Sequence, residues 1–587
     1  MTNTETWQAK AASKRANILT KINPEWRLSP NDIRKASAER DLTGPFIQRF
    51  LPPEDISIVS MDSVPIVSAI KQRKLTSLQV ATAFCKTAAV AHQINNCLHE
   101  IFFDQALERA KQLDEYQSKN GTTIGPLHGL PVSVKDQFHV KGQDTTTGYV
   151  GWIGSNVGIK SPSQIHQVES QMVAELLSLG AILYCKTSAP QGLFSVETKN
   201  NMIGQTLNPI NRNLSCGGSS GGEGALLALR GSTVGLGTDI GGSIRIPAAF
   251  NGLFGIKPTP GRFSCRDVAT TNGGQTTYPM ASGFLSTSID GIELMLKSML
   301  STQPWLRDPA VTPMPFRQDI VDAYLGRSNA DGTAKRGSAP LKLGVLWTDG
   351  VVNPHPPVAR GLHMVIDAVR AAGHKVVKWE PPSHHIAHRI HVAIITADGG
   401  EDIHKQLKLS GEPVISGLGT PTMTLRPPME LLKFQELTTQ GLEFEAQYSD
   451  YWNSTANDDG QIVDAFIMPV APHAAVIPGR YYHLNYTEAL NLMNYSVSVV
   501  PVTRANKNLD PFDHGYRPLN RKDAKNWKAY DPDIYHGGPV GVQIVARKFE
   551  EEKALAIAKI VHAALEEAKD PQSGSKNASG VGVSARL

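Results

Sequence analysis

Two short loops within residues 217–256 place serine hydroxyl groups among glycines. The first reads GGSSGG over residues 217–222, and the second reads GGS over residues 241–243. Glycine this dense in an apolar setting lets the backbone come close to another group, and rows of backbone N–H groups in such loops bind anions or developing oxyanions. Ser219 and Ser243 are therefore candidate nucleophiles. A purely structural pair of loops is the alternative.

A lysine that could serve as their base precedes both loops. Lys135 lies in HGLPVSVKDQF, near the end of an otherwise apolar strand. The ordinary interpretation is a lysine on an edge strand, and the functional one is a buried lysine that is kept neutral and can accept a proton. Lowering a lysine pKa by roughly 3 units costs about 4 kcal/mol, which only a site that needs a base would justify.

Short apolar runs that alternate with helical stretches must position these residues. The strand-like runs are LPVSVKD, AILYCKT, STVGLGTD, LFGIKPT, LKLGVLWT, HKVVKW, AFIMPV and VGVQIVA. Helical periodicity appears between them, as in QMVAELLSLG, and also before them, with Thr76 and Ser77 as plausible helix starts. This alternation predicts an α/β fold whose sheet is covered on both faces.

Both serine loops lie at the ends of predicted elements. Ser243 follows a buried-looking strand at its carboxyl end, where open α/β sheets bind ligands. Ser220 and Glu223 fit an S-x-x-E capping box that opens a helix through ALLALR. Ser219 would then lie just before a helix N-terminus, where the dipole favours negative charge.

The composition argues against several functional classes. The chain has 587 residues and a formal net charge of +4, which is too mild to predict nucleic-acid binding. No apolar run is long enough to predict a membrane span. Five cysteines without metal-ligand spacing favour reduced thiols in an intracellular protein. We therefore predict no metal, no cofactor and no effect of chelators.

Two further motifs suggest alternatives, one for the function and one for the cellular location. The segment GLGTDIGG has the spacing G-x-G-x-x-x-G rather than a dinucleotide fingerprint, and no long helix follows before Pro247. A nucleotide-binding oxidoreductase is therefore a distant alternative. We predict a cytoplasmic location, with a peroxisomal one as the minority alternative, because the C-terminal Ala585-Arg586-Leu587 is a conservative variant of the Ser-Lys-Leu address.

Taken together, these motifs resemble the amidase signature family, whose members use a Ser-cisSer-Lys triad. The resemblance rests on Lys135, on the stretch from Gly217 to Pro258, and on flanks such as PLHGLPVSVKD, KTSAPQGLFS and PVGVQIVA. It covers most of residues 70–565, and the flanks are closest in character to fungal acetamidases. It implies a single large α/β domain with a central mixed sheet covered by helices on both faces. One departure is Gly283-Phe284, where the family commonly has Gly-Pro.

The resemblance also implies a role for each matched residue. Ser243 would be the nucleophile that becomes acylated, Ser219 would bridge it to Lys135, and Lys135 would be the base. The family has a cis peptide bond next to the bridging serine. The remaining roles fall on backbone groups and loop supports: the N–H groups of Ile240, Gly241, Gly242 and Ser243 as oxyanion hole, the Leu193 carbonyl as acceptor from the substrate amide, and Ser220, Asp239 and Arg245 as supports of the loops.

These roles predict an amidase that hydrolyses the C–N bond of small, short-chain aliphatic amides through a serine acyl-enzyme and releases ammonia or an amine. Carbamate (urethane) and aryl-amide hydrolysis are alternatives within the family, as is the glutaminase subunit of a tRNA-dependent amidotransferase, which the long helical N-terminus argues against. The expected partner is a small-molecule amide, with a homodimer as the candidate assembly. We divide the chain into an N-terminal helical segment (1–70), the amidase domain (71–568, with an inserted region over 300–440) and a flexible tail (569–587).

Overall fold

A mixed β-sheet of eleven strands organises the chain in a computed structural model that describes residues 5–154, 166–326, 340–415, 424–458 and 460–569. The described strands are β1 (Leu98–Ile101), β2 (Pro131–Lys135), β3 (Ile182–Thr187), β4 (Lys199–Asn200), β5 (Gly204–Gln205), β6 (Val234–Asp239), β7 (Phe254–Lys257), β8 (Ala281–Ser286), β9 (Lys342–Val345), β10 (Lys375–Lys378), β11 (Ala465–Pro469), β12 (Ser496–Arg504) and β13 (Pro539–Ala546). The order of the strands in the sheet is β1-β3-β2-β6-β8-β7-β12-β13-β11-β9-β10, and β4 pairs with β5 separately.

Both faces of this sheet are covered. Every residue of β2, β3, β6, β8, β11 and β13 is buried. Because successive side chains of a strand point to opposite faces, burial of all of them requires packing on both sides. The pairs β2/β3, β2/β6, β9/β10 and β9/β11 are parallel, whereas the pairs through β7, β8, β12 and β13 are antiparallel. The predicted α/β fold with a mixed sheet is confirmed.

The covering helices are α1 (Trp7–Thr20), α2 (Pro30–Ala38), α3 (Pro45–Gln48), α4 (Pro53–Val59), α5 (Ser63–Lys71), α6 (Ser77–Asn95), α7 (Phe103–Asn120), α8 (Gln171–Ser178), α9 (Gly221–Ala228), α10 (Arg245–Phe250), α11 (Ile289–Ser301), α12 (Gln318–Leu325), α13 (Pro356–Ala371), α14 (His384–Ile395), α15 (Glu401–Lys408), α16 (Leu431–Ser454), α17 (Asn485–Leu492), α18 (Arg521–Lys528), α19 (Pro532–Tyr535) and α20 (Glu551–Lys569). Helix α6 begins after Thr76, as predicted, because the Thr76 hydroxyl accepts from the Gln79 amide and the Gln79 side chain accepts from the Thr76 amide.

The domain division stays a prediction. Helices α1 to α5 occupy the segment assigned as N-terminal. Within the segment assigned as an insertion, β9 and β10 belong to the same sheet as the serine-bearing half of the chain. The tail, including the C-terminal tripeptide, lies outside the described residues except for Lys569. Among the helices that the structure describes, we find none with the length and apolar content needed to cross a membrane.

Candidate active site

Lys135 ends an interior strand of the sheet. Strand β2 lies between β3 and β6, and the Lys135 side chain is fully buried. Its Nζ donates to the Ser219 hydroxyl at 2.7 Å and to the Thr238 hydroxyl at 2.9 Å. The interpretation as an edge-strand lysine is therefore wrong. The amine has two hydroxyl partners and, among the described residues, no ion pair with a carboxylate.

Burial controls the charge of this lysine. Loss of solvent lowers the pKa of Lys135 from its ordinary 10.5 to about 7, although the negative charges of Asp239 and Glu223 oppose the shift. An ammonium group without a carboxylate partner is costly in a dry interior, so the neutral amine becomes accessible near neutral pH. Lys135 thus has the character of a base, aimed at Ser219.

Ser219 stands between a cis peptide bond and a helix start. The Gly218–Ser219 bond is cis, and helix α9 begins two residues later. The capping box predicted for Ser220 and Glu223 is wrong, because the Ser220 side chain caps no helix amide. Glu223 turns instead into the sheet, where it accepts hydrogen bonds from the Ser133 and Thr187 hydroxyls at 2.5 and 2.8 Å.

Glu223 is the acidic group that accompanies the buried lysine. Burial raises its pKa to about 8, against the opposing effect of its hydrogen bonds and of Lys135. A Cβ on Gly235, in the adjacent strand β6, would lie 1.9 Å from Glu223 Oε2, so only glycine leaves room for this carboxyl group. The glycine at 235 therefore has a packing role rather than a ligand-binding one.

The second loop is held by a buried ion pair. Asp239 accepts from both Nε and Nη2 of Arg245, at 3.0 and 2.9 Å, and all three groups are fully buried. Arg245 also donates to the Thr487 carbonyl at 3.0 Å and to the Asn491 side chain at 2.6 Å. Burial by itself would raise the pKa of Asp239, but the positive charge of Arg245 holds that pKa far below its usual range. A charged and fully partnered pair of this kind fixes the backbone around it.

The same aspartate orders the amides beside Ser243. Gly242 N–H donates to Asp239 Oδ1 at 2.9 Å, and Ile244 N–H donates to Oδ2 at 3.1 Å. In the part of the chain that the structure describes, no group accepts from the amides of Ile240, Gly241 or Ser243. Three of the four amides predicted for the oxyanion hole are therefore open, whereas that of Gly242 is already used.

Ser243 and Ser219 face one cavity with two lobes. The larger lobe has a volume of about 210 Å³ and the smaller one about 30 Å³. Ser243 lines both lobes, together with Leu193, Phe194 and Ile240, whereas Ser219 lines only the smaller one. The Ser220 amide donates to the Ser243 carbonyl at 3.1 Å and joins the two loops. Among the described contacts, no hydrogen bond links the two serine hydroxyls directly.

The wall of this cavity includes a residue in an unusual conformation. Leu193 has φ of 69°, in the left-handed region, and its carbonyl accepts from the Ser195 amide at 2.9 Å. A carbonyl oxygen keeps a second lone pair for another donor. Phe284, at the position where the sequence departs from the family, is fully buried against Phe263 and lines neither lobe.

The structure brings the predicted residues to one place and adds others. Ser219, Ser243, Ile240, Gly241 and Leu193 line the cavity. Lys135 contacts Ser219 and lines neither lobe, and the loop residues Ser220, Asp239, Gly242 and Arg245 also line neither lobe. Sequence analysis missed Thr238 and Gln137, whose side chains continue the Lys135 hydrogen bonds at 2.7 Å, although Thr238 lies inside the quoted motif. It also missed Thr487 and Asn491, which come from α17 and carry no sequence signal. Within the described residues, no cluster of His, Cys, Asp and Glu could hold a metal ion.

Comparisons with known proteins show the family of the chain. The family model named Amidase matches residues 79–555. Acetamidases of Emericella nidulans and Aspergillus oryzae are each 38% identical, over 95% and 94% of this chain and 98% of their own lengths. Amidase 1 of Gibberella moniliformis is 38% identical over 86% of this chain and 94% of its own.

A solved structure gives the same result for the fold. A fatty acid amide hydrolase superposes with a TM-score of 0.84 at 28% identity, covering 95% of this chain and 94% of its own. The match of the family model to most of the sequence, together with close relatives along nearly the whole length, decides the assignment. The chain belongs to the amidase family and is an amidohydrolase.

Proposed function

We propose that this enzyme hydrolyses the C–N bond of small linear amides through an acyl-enzyme on Ser243. The observation that carries the proposal is the buried Lys135 amine, with a pKa of about 7, that lies 2.7 Å from the Ser219 hydroxyl in a lobe also lined by Ser243. A neutral amine in that position can accept a proton at physiological pH, which a lysine with its ordinary pKa cannot. Two hydroxyls, those of Ser219 and Thr238, contact the amine and line the lobe with Ser243. Ser219 serves as the bridge because the Thr238 hydroxyl already donates its proton to Gln137 Oε1 at 2.7 Å.

The acylation step follows from these positions. Ser243 Oγ attacks the amide carbon while its proton passes to Ser219, and the Ser219 proton passes to Lys135 Nζ. The proton then returns along the same path to the leaving nitrogen, the C–N bond breaks, and ammonia or an amine departs. Water repeats the sequence on the ester, with Lys135 again as base, and releases the acid. A single lysine therefore acts as base and then as acid.

The developing oxyanion is stabilised by the open amides of Ile240, Gly241 and Ser243. The Gly242 amide instead holds the loop through Asp239. Preorganised backbone donors of this kind each contribute about 3 kcal/mol to transition-state stabilisation. The Leu193 carbonyl is proposed to accept from the substrate nitrogen with its second lone pair.

Short acyl chains fit the cavity best. Its lobes of about 210 and 30 Å³ fall below the roughly 300 to 1,000 Å³ typical of pockets for drug-sized ligands. The wall contributed by Leu193 and Phe194 is apolar, and the acetamidase names of the relatives point the same way. A cleft of about 470 Å³ shares Ile395 with the larger lobe, but Asp398, Asp402 and the 272–277 loop line much of it, so it offers little to a long alkyl chain.

Trapping of the nucleophile tests the mechanism. A fluorophosphonate should label Ser243, and Ser243→Ala should lose labelling and turnover while retaining its fold, because no acyl-enzyme can form. Ser118→Ala, at an exposed position on α7, is the matched control and should behave as wild type. Labelling of another serine, or turnover by the Ser243→Ala variant, would overturn the assignment.

A substrate panel scored by ammonia release tests the specificity. We expect kcat/KM to fall as the acyl chain lengthens from propionamide, with steps of about ten- to a hundred-fold per poorly accommodated methylene. Ethyl carbamate has nearly the volume of a four-carbon amide and should be a detectable substrate. Preference for long fatty acyl amides, or for aryl amides, would refute the small-pocket proposal and leave the catalytic residues standing.

We also propose a cytoplasmic enzyme that can form a homodimer. All five cysteines are free, and four of them are buried, which suits a reducing compartment. Fractionation of cells and light scattering of the purified protein test these two points. Peroxisomal import that depends on the last three residues would favour the minority alternative.

A further inference from the structure

A buried carboxylate faces the larger lobe beside the proposed oxyanion loop. Glu488 lies on α17, is 6% exposed and lines this lobe. Its Oε1 lies 3.5 Å from the position that a Cβ on Gly241 would occupy. Since Gly241 and Ser243 are two residues apart, their Cα atoms are separated by no more than about 7.6 Å. Glu488 therefore stands within the reach of a short substrate chain.

Within the described ranges of the chain, one oxygen of this carboxylate has a partner and the other has none. Glu488 Oε2 pairs with Nδ1 of His388, which projects from α14 and lines the same lobe. Among the described residues, no group donates to Oε1. His388 thus fixes the orientation of the carboxylate and leaves one oxygen available to the cavity.

The side chains around Glu488 Oε1 offer it few hydrogen-bond donors. The rest of the lobe is largely apolar, with Lys522 and Tyr482 half-buried at its edge. Glu488 Oε1 is not one of the fully enclosed polar atoms without a partner, so it is open to the cavity and can accept a hydrogen bond from whatever occupies the lobe. Nothing in the proposed acylation steps uses Glu488. A donor carried by the substrate would satisfy it.

We propose that Glu488, oriented by His388, selects amides whose acyl chain carries a hydrogen-bond donor, either a hydroxyl or an ammonium group, a few atoms from the carbonyl. The proposal rests on the proposed function and specifies its substrate class. Lys522 is a cation at the edge of the same lobe and disfavours an ammonium group, whereas a hydroxyl group is indifferent to it. The two donor chemistries are therefore separable by experiment.

Three amides with equal numbers of non-hydrogen atoms provide the probes: butanamide, 3-hydroxypropanamide and 3-aminopropanamide. In wild type, kcat/KM for one or both donor-bearing amides should exceed that for butanamide by about 10- to 100-fold, the range of a charge-assisted hydrogen bond. Glu488→Met, which removes the acceptor, should abolish the preference for both. Glu488→Gln keeps an acceptor oxygen but has no charge. It should therefore reduce the preference for 3-aminopropanamide more than the preference for 3-hydroxypropanamide.

The control variant is Glu436→Gln, an exposed carboxylate on α16 that pairs with Lys433. It should keep the wild-type ratios. If fluorophosphonate labels Ser243 of a Glu488 variant at the wild-type rate, the active site of that variant is intact. If Glu488→Met does not fold, the comparison is made with Glu488→Gln. If butanamide is hydrolysed and neither Glu488 variant changes the ratio of kcat/KM for the donor-bearing amides to that for butanamide, this inference is overturned and the proposed function stands. If the wild-type enzyme hydrolyses none of the three amides and its Ser243 is not labelled, the proposed function itself is contradicted.

Discussion

Replacement of Lys135 by methionine should remove activity and stabilise the protein at the same time. Burial lowers the Lys135 pKa from 10.5 to about 7, and this shift corresponds to roughly 5 kcal/mol between the charged and neutral forms. Methionine has nearly the same volume and carries no charge. It gives up two hydrogen bonds, to Ser219 and Thr238, each worth about 1 kcal/mol. The net gain in the free energy of unfolding at pH 6 to 7 is therefore about 2 to 3 kcal/mol.

The pH dependence of this gain has a definite sign. Between pH 7 and 10.5 the unfolded chain holds the Lys135 proton and the folded chain does not, so this lysine makes stability rise by about 1.4 kcal/mol per pH unit. Below pH 7 both states are protonated and the full cost of the buried charge applies. The advantage of Lys135→Met should therefore shrink as pH rises and reverse near pH 9, and above pH 10.5 only the lost hydrogen bonds remain.

Activity should depend on the same titration. Because the neutral amine is the base, wild-type kcat/KM should rise about tenfold per pH unit up to pH 7 and then level off. Lys135→Met should lose about 10²- to 10⁴-fold and lose this inflection. Ammonia release between pH 5 and 9 and urea unfolding followed by fluorescence provide the two measurements.

A second buried lysine is the matched control. Lys186 Nζ lies 3.0 Å from Asp136 Oδ1, and both side chains are fully buried. Lys186→Met should destabilise the protein by about 3 to 5 kcal/mol, because it leaves a buried carboxylate without its cation. A wild-type pH–rate profile that is flat from pH 5 to 9, or a Lys135→Met variant less stable than wild type at pH 6, would show that Lys135 is not a buried base with a lowered pKa.

Three further variants test the elements around the lysine. Glu223→Gln should leave the inflection of the pH–rate profile near pH 7, since a carboxyl group with a pKa of about 8 is already largely neutral there; an inflection moved down by a pH unit or more would contradict this protonation state. Gly242→Ala should lower kcat and cost about 1 to 3 kcal/mol, because φ is 128° and the new Cβ would lie 2.6 Å from the Ile246 side chain; wild-type kcat and urea midpoint would count against it. Asp239→Asn should cost about 3 to 5 kcal/mol in unfolding free energy, because its guanidinium partner stays buried and charged; a change below 1 kcal/mol would show that the pair does not hold the loop.

Much of the sheet could be predicted from local sequence. All eight predicted strand-like runs form strands, because short runs rich in β-branched and apolar residues favour the extended conformation. Three strands of the sheet were missed, namely β1, β8 and β12. Strand β8 reads ASGFLS and β12 contains Pro501, so small, polar and proline residues conceal strands whose position depends on their neighbours.

The candidate catalytic residues could be predicted from the amino-acid sequence, because glycine-rich loops, a hydroxyl group and a lysine in an apolar strand are local features. The sequence did not determine the protonation of Lys135, which follows from burial by elements far apart in the chain. It also assigned Glu223 to a helix cap, whereas the tertiary structure turns that side chain towards Ser133 and Thr187 on two neighbouring strands. Glu488 carried no local signal at all. Desolvation and contacts between residues hundreds of positions apart are properties of the folded chain. The lowered pKa of Lys135 and the side chains that surround the cavity therefore follow from the tertiary structure.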